Sequence, residues 1–321
     1  MCYSAKIAAD YKTYVRKYGA KTDFKAVCAL LRARLDDTRL IIPKGVLDAF
    51  KAADDDSAES QQCRDLVGAI EKADATRWEI QLFEQMTRLN KAEQKLAVKE
   101  TKGALEDKRI AGEKIKQAQR KLDDLRRDES VESDSRIYPG SWCPVLIHDE
   151  RGAPWVRPMR YLLRPAGFPA TFDRTNSGSF NARRDNLQKF WRNIFGKHHA
   201  IVIAEAFYEH VDRHRLEGRQ LAPGEEAQDV VLRFSPNDGR LMEAACIWSH
   251  WEGREGSMDS FAAVTDEPPA EVAAAGHDRC IVPLLQSVAS DWLDAPARTP
   301  GYYDDLLDQR ERPYYAHQMA A

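Results

Sequence analysis

The first residues that could do chemistry stand at the very start of the chain, Met1-Cys2-Tyr3. Once Met1 is removed, Cys2 carries a thiol and a free α-amine on one carbon. The amine has a pKa of about 8 and the thiol about 8.5, so both have accessible nucleophilic forms near neutral pH. Towards an aldehyde, such a residue can form a Schiff base through nitrogen and then close a five-membered thiazolidine through sulfur. Three further segments set reactive side chains beside apolar runs. Phe180-Asn181-Ala182-Arg183 follows the flexible Asn176-Ser177-Gly178-Ser179, Ala206-Phe207-Tyr208-Glu209-His210 ends an apolar strand, and Gly276-His277-Asp278-Arg279 follows a Pro-rich, helix-like stretch. Singly, each has an ordinary explanation: a turn Asn, a solvated Glu, a His capping a helix. His277, with an unperturbed pKa near 6.5, is suited to acid/base work. Glu209 could relay protons if Phe207 and Tyr208 desolvate it, and Asn181 offers donors and an acceptor without titrating.

The elements that must position these residues fall into two textures. From Asp23 to Leu35, apolar residues recur at helical spacing with Thr22 or Asp23 as N-cap, and Ile41 to Phe50 reads as a second short helix. Residues 58–129 contain no Pro and are rich in Lys, Glu, Gln, Ala and Arg. Leu82, Met86, Leu89 and Leu96 make one seam and Ile115, Ala118, Leu122 and Leu125 another. This predicts an antiparallel helical hairpin turning near Lys102-Gly103, read as a solvated arm rather than a catalytic core. From Arg136 onward, short β-rich runs alternate with turn signals such as Asp149-Glu150-Arg151-Gly152. The runs are Val145–Ile147, Trp155-Val156, Arg160–Leu163, Ala200–Phe207, Val230–Phe234, Ala244–Trp248 and Phe261–Thr265, with a helix expected over Leu187–Ile194. The fold expected is α+β, with a mostly antiparallel, barrel-like sheet and flanking helices. One discontinuous domain, 1–20 plus 136–321, is interrupted by a helical insertion over 21–135.

With 48 Lys and Arg against 51 Asp and Glu, the net charge of −3 argues neither for nor against nucleic acid. Residues 160–219, however, hold eleven Lys and Arg against six carboxylates, interleaved with Phe168, Phe172, Phe180 and Trp191. Such an excess suits phosphate contact and base stacking, and equally a solvated face that binds nothing. The six cysteines show no paired spacing, which argues against a zinc site or disulfide framework. His198-His199 and His210-x-x-x-His214 lack the further ligands of a metal site, and no P-loop or dinucleotide fingerprint is present. No cofactor and no membrane association are expected. The N-terminus lacks a signal peptide's apolar core, so the reading is a reduced, cytoplasmic, nucleoid-associated protein.

Taken in order, Met1-Cys2, Asn181-Ala182-Arg183, Phe207-Tyr208-Glu209 and His277-Asp278-Arg279 resemble the SOS response-associated peptidase family of abasic-site processing proteins. Tyr138-Pro139-Gly140 and Met159-Arg160-Tyr161 extend the resemblance, which covers 1–20 and roughly 136–290 but not the helical insertion. The family usually begins Cys-Gly-Arg, so Cys2-Tyr3-Ser4 loses a positive charge. Leu162, His210 and Cys280 are further departures. The resemblance implies a covalent trap for abasic sites in single-stranded DNA, with hydrolase- or lyase-like character: autocatalytic release of Met1, then a thiazolidine crosslink through Cys2. The catalytic set it implies is Cys2, Asn181, Glu209 and His277. Glu209 would manage protons on the Cys2 amine and His277 would open the sugar ring. The implied DNA-contacting set is Pro139, Arg160, Tyr161, Arg164, Arg183, Arg184, Tyr208 and Arg279. Two other readings stand beside it: a cysteine peptidase acting on other proteins, and a non-catalytic DNA-binding scaffold whose helical arm holds a protein partner.

Overall fold

The computed structural model describes residues 3–52 and 57–320. The chain opens with β1 (Ser4–Ile7), α1 (Tyr11–Tyr18) and β2 (Lys21–Thr22), followed by α2 (Phe24–Asp36) and α3 (Lys44–Lys51). The reading of residues 1–20 placed no element here. Asp10 caps α1 through Lys12 N, Gly19 ends it with φ of 65°, and the tyrosines point inward. Tyr14 is fully buried, its hydroxyl donating to the Pro144 carbonyl and accepting from the Ile203 amide. Asp23 is the N-cap of α2, its carboxylate accepting from Ala26 N.

Two long helices, α4 (Ala58–Val98) and α5 (Lys102–Arg126), form the expected hairpin. The turn falls at residues 99–101, just before the expected Lys102-Gly103, because Thr101 caps Ala104 N and draws those residues into the first turn of α5. Met86 is half-exposed, outside the seam, which small residues close instead: Ala92 against Ala104, Ala111, Ala118 and Leu122 are buried. Arg88–Asp107 (2.6 Å) and Lys108–Glu93 (3.1 Å) bridge the outer part. The two ends of α4 differ. Cys63, Val67 and Ile70 belong to the main core beside Val27, Cys28, Leu31, Val46 and Phe50 of α2 and α3, with the thiols of Cys28 and Cys63 facing each other. Ile80 and Phe83, further along, are exposed.

Among the described residues, twelve strands form one mixed sheet. After β3 (Arg136–Ile137) come β4 (Trp142–His148) and β5 (Pro154–Tyr161), then α6 (Phe172–Thr175), β6 (Asn181–Arg183) and α7 (Arg184–Leu187). The long β7 (His199–Asp212), α8 (Arg213–Leu216), β8 (Asp229–Pro236), β9 (Met242–Gly253) and β10 (Gly256–Asp266) follow. The chain ends through α9 (Ala270–Ala274), β11 (Cys280–Ile281), α10 (Gln286–Leu293), α11 (Pro300–Leu306) and β12 (Tyr315–Met319). Pairing is mostly antiparallel, but β5 and β6 run parallel to β10, and β2 parallel to β5. Strand β9 hydrogen-bonds both β10 and β7, so β10, β5, β4, β7 and β9 make a closed circuit of neighbours. The helix expected over Leu187–Ile194 does not form. Trp191, Ile194 and Phe195 are buried at helical spacing, but successive turns carry them, ending at Gly196 with φ of 77° against Pro300. Leu162 and Leu163 lie beyond the end of β5, where Leu163 N donates to the Ser179 carbonyl. Among the described residues, no helix is long and apolar enough to cross a membrane.

Asp173 on α6 ties that helix to β5. Arg160 Nη1 approaches it to 2.7 Å, and Arg164 forks onto both its oxygens while stacking over Trp251. Burial alone would raise the Asp173 pKa, but the hydrogen bonds from Arg164 and Arg160 hold it below the usual carboxylate range.

Ile70→Ala should cost about 2–5 kcal/mol in urea denaturation and Phe83→Ala under about 0.5. Replacing 89–106, the part of the hairpin beyond the Arg88–Asp107 bridge, by a Gly-Ser turn should leave the core standing, whereas deleting 58–129 should destabilise it by removing Cys63, Val67 and Ile70. Asp173→Asn should lose about 1–3 kcal/mol at pH 7. A depressed carboxyl pKa contributes stability above its unfolded value of about 3.9, lost as pH falls through the folded value. The gap between wild type and Asp173→Asn should therefore close in acid. A gap independent of pH would rule out the ion pair as its source.

Candidate active site

The site is built where β1 meets β7. Their antiparallel register sets Ser4 opposite Tyr208 and Ala5 opposite Phe207, with β3 on the other edge of β1 pairing Ala5 with Ile137. The described chain thus begins, at Tyr3, beside Glu209 and His210. The Tyr3 ring lies edge-on to His210 (5.4 Å), Tyr138 (5.9 Å) and Phe180 (6.1 Å). Those three are the immediate neighbours of Glu209, Pro139 and Asn181. Cys2 itself lies outside the described residues.

Glu209 is fully buried on β7, and His277 is nearly so in the loop between α9 and β11. Gly276, with φ of 94° and the side chain of Arg215 close by, makes the turn that delivers the imidazole. His277 Nε2 stands 2.9 Å from Glu209 Oε2, and Nδ1 3.0 Å from the Arg279 carbonyl. Nδ1 faces both backbone groups of Arg279, the carbonyl at 3.0 Å and the N–H, which donates to it at 3.3 Å, so either tautomer of the ring finds a partner there. Nε2 is within hydrogen-bond reach of the buried carboxylate, which sets an acid/base-capable ring against Glu209.

Asn181 is buried at the start of β6, which pairs with β10 so that Thr265 lies opposite both Arg183 and Ile281. The segments carrying Asn181 and His277 therefore flank the same end of β10. Pro139 sits in the half-buried turn Tyr138–Ser141, fixed by Gly140 N donating to the Tyr161 carbonyl. Arg183 is exposed and pairs with its neighbour Asp185 at 2.7 Å, and Arg279 Nη2 lies 3.6 Å from Asp278.

The remaining residues of the expected DNA-contacting set have structural partners. Arg160 and Arg164 serve Asp173, and Arg184 is held among Asp266, Asp304 and Asp308. Tyr161 is buried between Phe180 and Phe261. Tyr208 is buried, and its hydroxyl donates to Glu132, which pushes its pKa upward together with burial. Of the histidines considered for metal, His199 stacks on Trp292 at 3.8 Å with Nδ1 on the Trp292 carbonyl, and burial pushes its pKa down to about 3.

One residue at the site carried no signal in any motif. Arg136 on β3 donates from Nε (3.0 Å) and Nη2 (2.9 Å) to the buried Ser4 hydroxyl and lies over the Tyr208 ring at 3.6 Å. It returns a guanidinium to the neighbourhood from which Ser4 had seemed to remove one. Its position just before Tyr138-Pro139-Gly140 was the only hint available.

No curated protein matches the chain. Several solved structures resemble it, among them these three. One is a structural-genomics protein from Bordetella bronchiseptica: 22% identity, 60% of this chain, 90% of that one and a TM-score of 0.46. Another comes from Bacteroides thetaiotaomicron, with 15%, 58%, 78% and 0.45. The third is a phage-related protein of B. bronchiseptica, with 18%, 61%, 85% and 0.43. A family model matches residues 104–320, a stretch that begins within α5 and contains Asn181, Glu209 and His277. That match supports a DNA-damage-related function associated with the SOS response. By that match over most of its length, the chain belongs to the SOS response associated peptidase (SRAP) family.

Proposed function

We propose that the protein processes abasic sites in single-stranded DNA, forming a covalent thiazolidine through Cys2 after hydrolytic release of Met1. The observation that carries this reading is the β1–β7 register together with the buried Glu209–His277 pair. It starts the described chain, one peptide bond after Cys2, beside a carboxylate and an imidazole in contact at 2.9 Å. An N-terminal cysteine reacting with an aldehyde needs several proton transfers. The amine attacks the carbonyl carbon to give a carbinolamine, the carbinolamine loses water to give the imine, and the thiol adds across C=N to close the ring. Each step moves a proton on or off nitrogen, oxygen or sulfur, and an imidazole and a carboxylate in direct contact can supply and recover it without bulk water. Asn181 positions the sugar or the amine through hydrogen bonds that do not titrate. Arg183, exposed at the end of β6, and Arg279, half-buried just before β11, are the arginines of the expected set that take the flanking phosphates.

The expectation that Glu209 and His277 serve separate steps is revised by their 2.9 Å contact. As a coupled pair they act in both ring opening and imine chemistry. Glu209→Gln and His277→Ala should each slow crosslinking on the order of 10²-fold, on an abasic oligonucleotide and on a simple aldehyde alike. The double variant should be little slower than either single one, as for groups acting as a unit. A His277 variant slow only on the cyclic sugar would restore separate roles. Intact-mass measurement tests the reaction itself. The wild type should lose Met1 and gain the mass of an abasic oligonucleotide less one water, and Cys2→Ala should gain nothing. A Cys2→Ala protein that crosslinks as well as wild type would sink the proposal.

A further inference from the structure

A cavity of about 260 Å³ opens from Asn181, Arg183 and Arg279 towards Phe190, Asn176 and Asn186, which the proposed lesion chemistry leaves without a role. We propose that it is a nucleobase pocket, holding the base of a nucleotide that flanks the lesion; this rests on the reading of the protein as a single-stranded DNA lesion trap.

The walls select that ligand. One wall is Phe190, whose ring is 51% exposed. It is not a loose surface aromatic. Trp191 meets it edge-on at 4.7 Å, and Phe172 lies near-parallel to it at 6.5 Å. A ring held rigidly with a face towards solvent is a stacking platform, and every base has a π-face to place on it. The polar lining is neutral where a base edge would lie. Asn186 is exposed, and Asn176 spends its amide nitrogen on the Phe172 carbonyl (3.3 Å) and Thr175 Oγ1 (3.0 Å), leaving its oxygen as acceptor. Carboxamides match the paired donors and acceptors of a base edge. Two cations, Arg183 and Arg279, line the same cavity and are placed to meet the phosphate of the nucleotide held there. The Arg183–Asp185 pair is exposed on both sides, and such pairs are cheaply exchanged for a new anion. A volume of 260 Å³ lies below the range of about 300–1,000 Å³ typical of drug-sized ligands and suits one planar ring system.

The strand has somewhere to go. Phe190 also lines a second cavity of about 350 Å³, bounded by Phe168, Arg192 and His198. Phe190 therefore stands between two adjacent depressions, as a ring that stacks one base and turns the strand would. The basic excess of residues 160–219 is largely consumed by internal carboxylates, so stacking at Phe190 supplies affinity that charge alone does not.

The test uses the full chain and single-stranded oligonucleotides carrying an unreactive tetrahydrofuran abasic analogue, with 2-aminopurine on its 5′ or its 3′ side. On binding, 2-aminopurine at one of these positions should be quenched by stacking, and Phe190→Ala should abolish that change and weaken binding on the order of 10-fold. Phe190→Trp should keep both, and Asn186→Ala should weaken binding several-fold without abolishing the quench. Phe190 is half-exposed, so its alanine variant should stay folded, with circular dichroism as the check. Quenching and affinity unchanged in Phe190→Ala would overturn the pocket, whatever the protein does to aldehydes. Phe190-dependent stacking in a wild type that forms no covalent adduct would keep the pocket and overturn the proposed reaction instead. No binding of the analogue strand by the wild type would overturn the pocket.

Discussion

The site depends on the pairing of one four-residue strand. Strand β1 is hydrogen-bonded on both edges, to β7 and β3, and its ends are anchored by Ser4 and Ile7, both fully buried. A slip of one residue would exchange the two faces of the strand, moving Ile7 out of the core and Ser4 away from its donors. Burying a hydroxyl without a partner is costly, and Arg136 supplies the partner twice over. Arg136 is in turn held over Tyr208, the residue opposite Ser4 in the register. Register, hydroxyl, guanidinium and aromatic ring thus specify one another. Their joint effect is to fix Tyr3, to which Cys2 is bonded, beside Glu209.

The same strand marks the limit of what the sequence made legible. Strands bounded by turn signals, and helices with regular apolar spacing, were visible because their periodicity is local. Strand β1 was not: Ser4-Ala5-Lys6-Ile7 is too short to show alternation, and its pairing partners lie 130 or more residues away. The stretch around Trp191 shows the opposite failure. Its apolar residues keep helical spacing because they are buried on one side, but a run of turns meets the same requirement. Among site residues, type revealed capability and not partners. Asn181, Glu209 and His277 stood out as chemically able, whereas nothing in Arg160, Arg164 or Arg184 announced that each would be engaged by internal carboxylates. Arg136 was invisible for the complementary reason, since its role depends on a hydroxyl 132 positions away.

The buried and half-buried carboxylates of this chain have partners of different kinds. Asp134 is matched by Arg127, Asp173 by Arg160 and Arg164, Asp266 by Arg184 and Arg310, and Glu243 by Lys17. All these partners are cations that keep their charge at any physiological pH, so each of these carboxylates meets a fixed opposite charge and serves packing. Much of the local positive excess is spent in this way. Glu209 is buried as deeply as any of them, and its contacts include the imidazole of His277 at 2.9 Å, the type of side chain whose unperturbed pKa lies nearest neutrality. Arginine and lysine, which hold the other four acids, neutralise a carboxylate without exchanging protons near neutral pH, whereas an imidazole is chemically able to do so. That contact, more than burial or sequence motif, is what suits Glu209 to the proton transfers proposed for it.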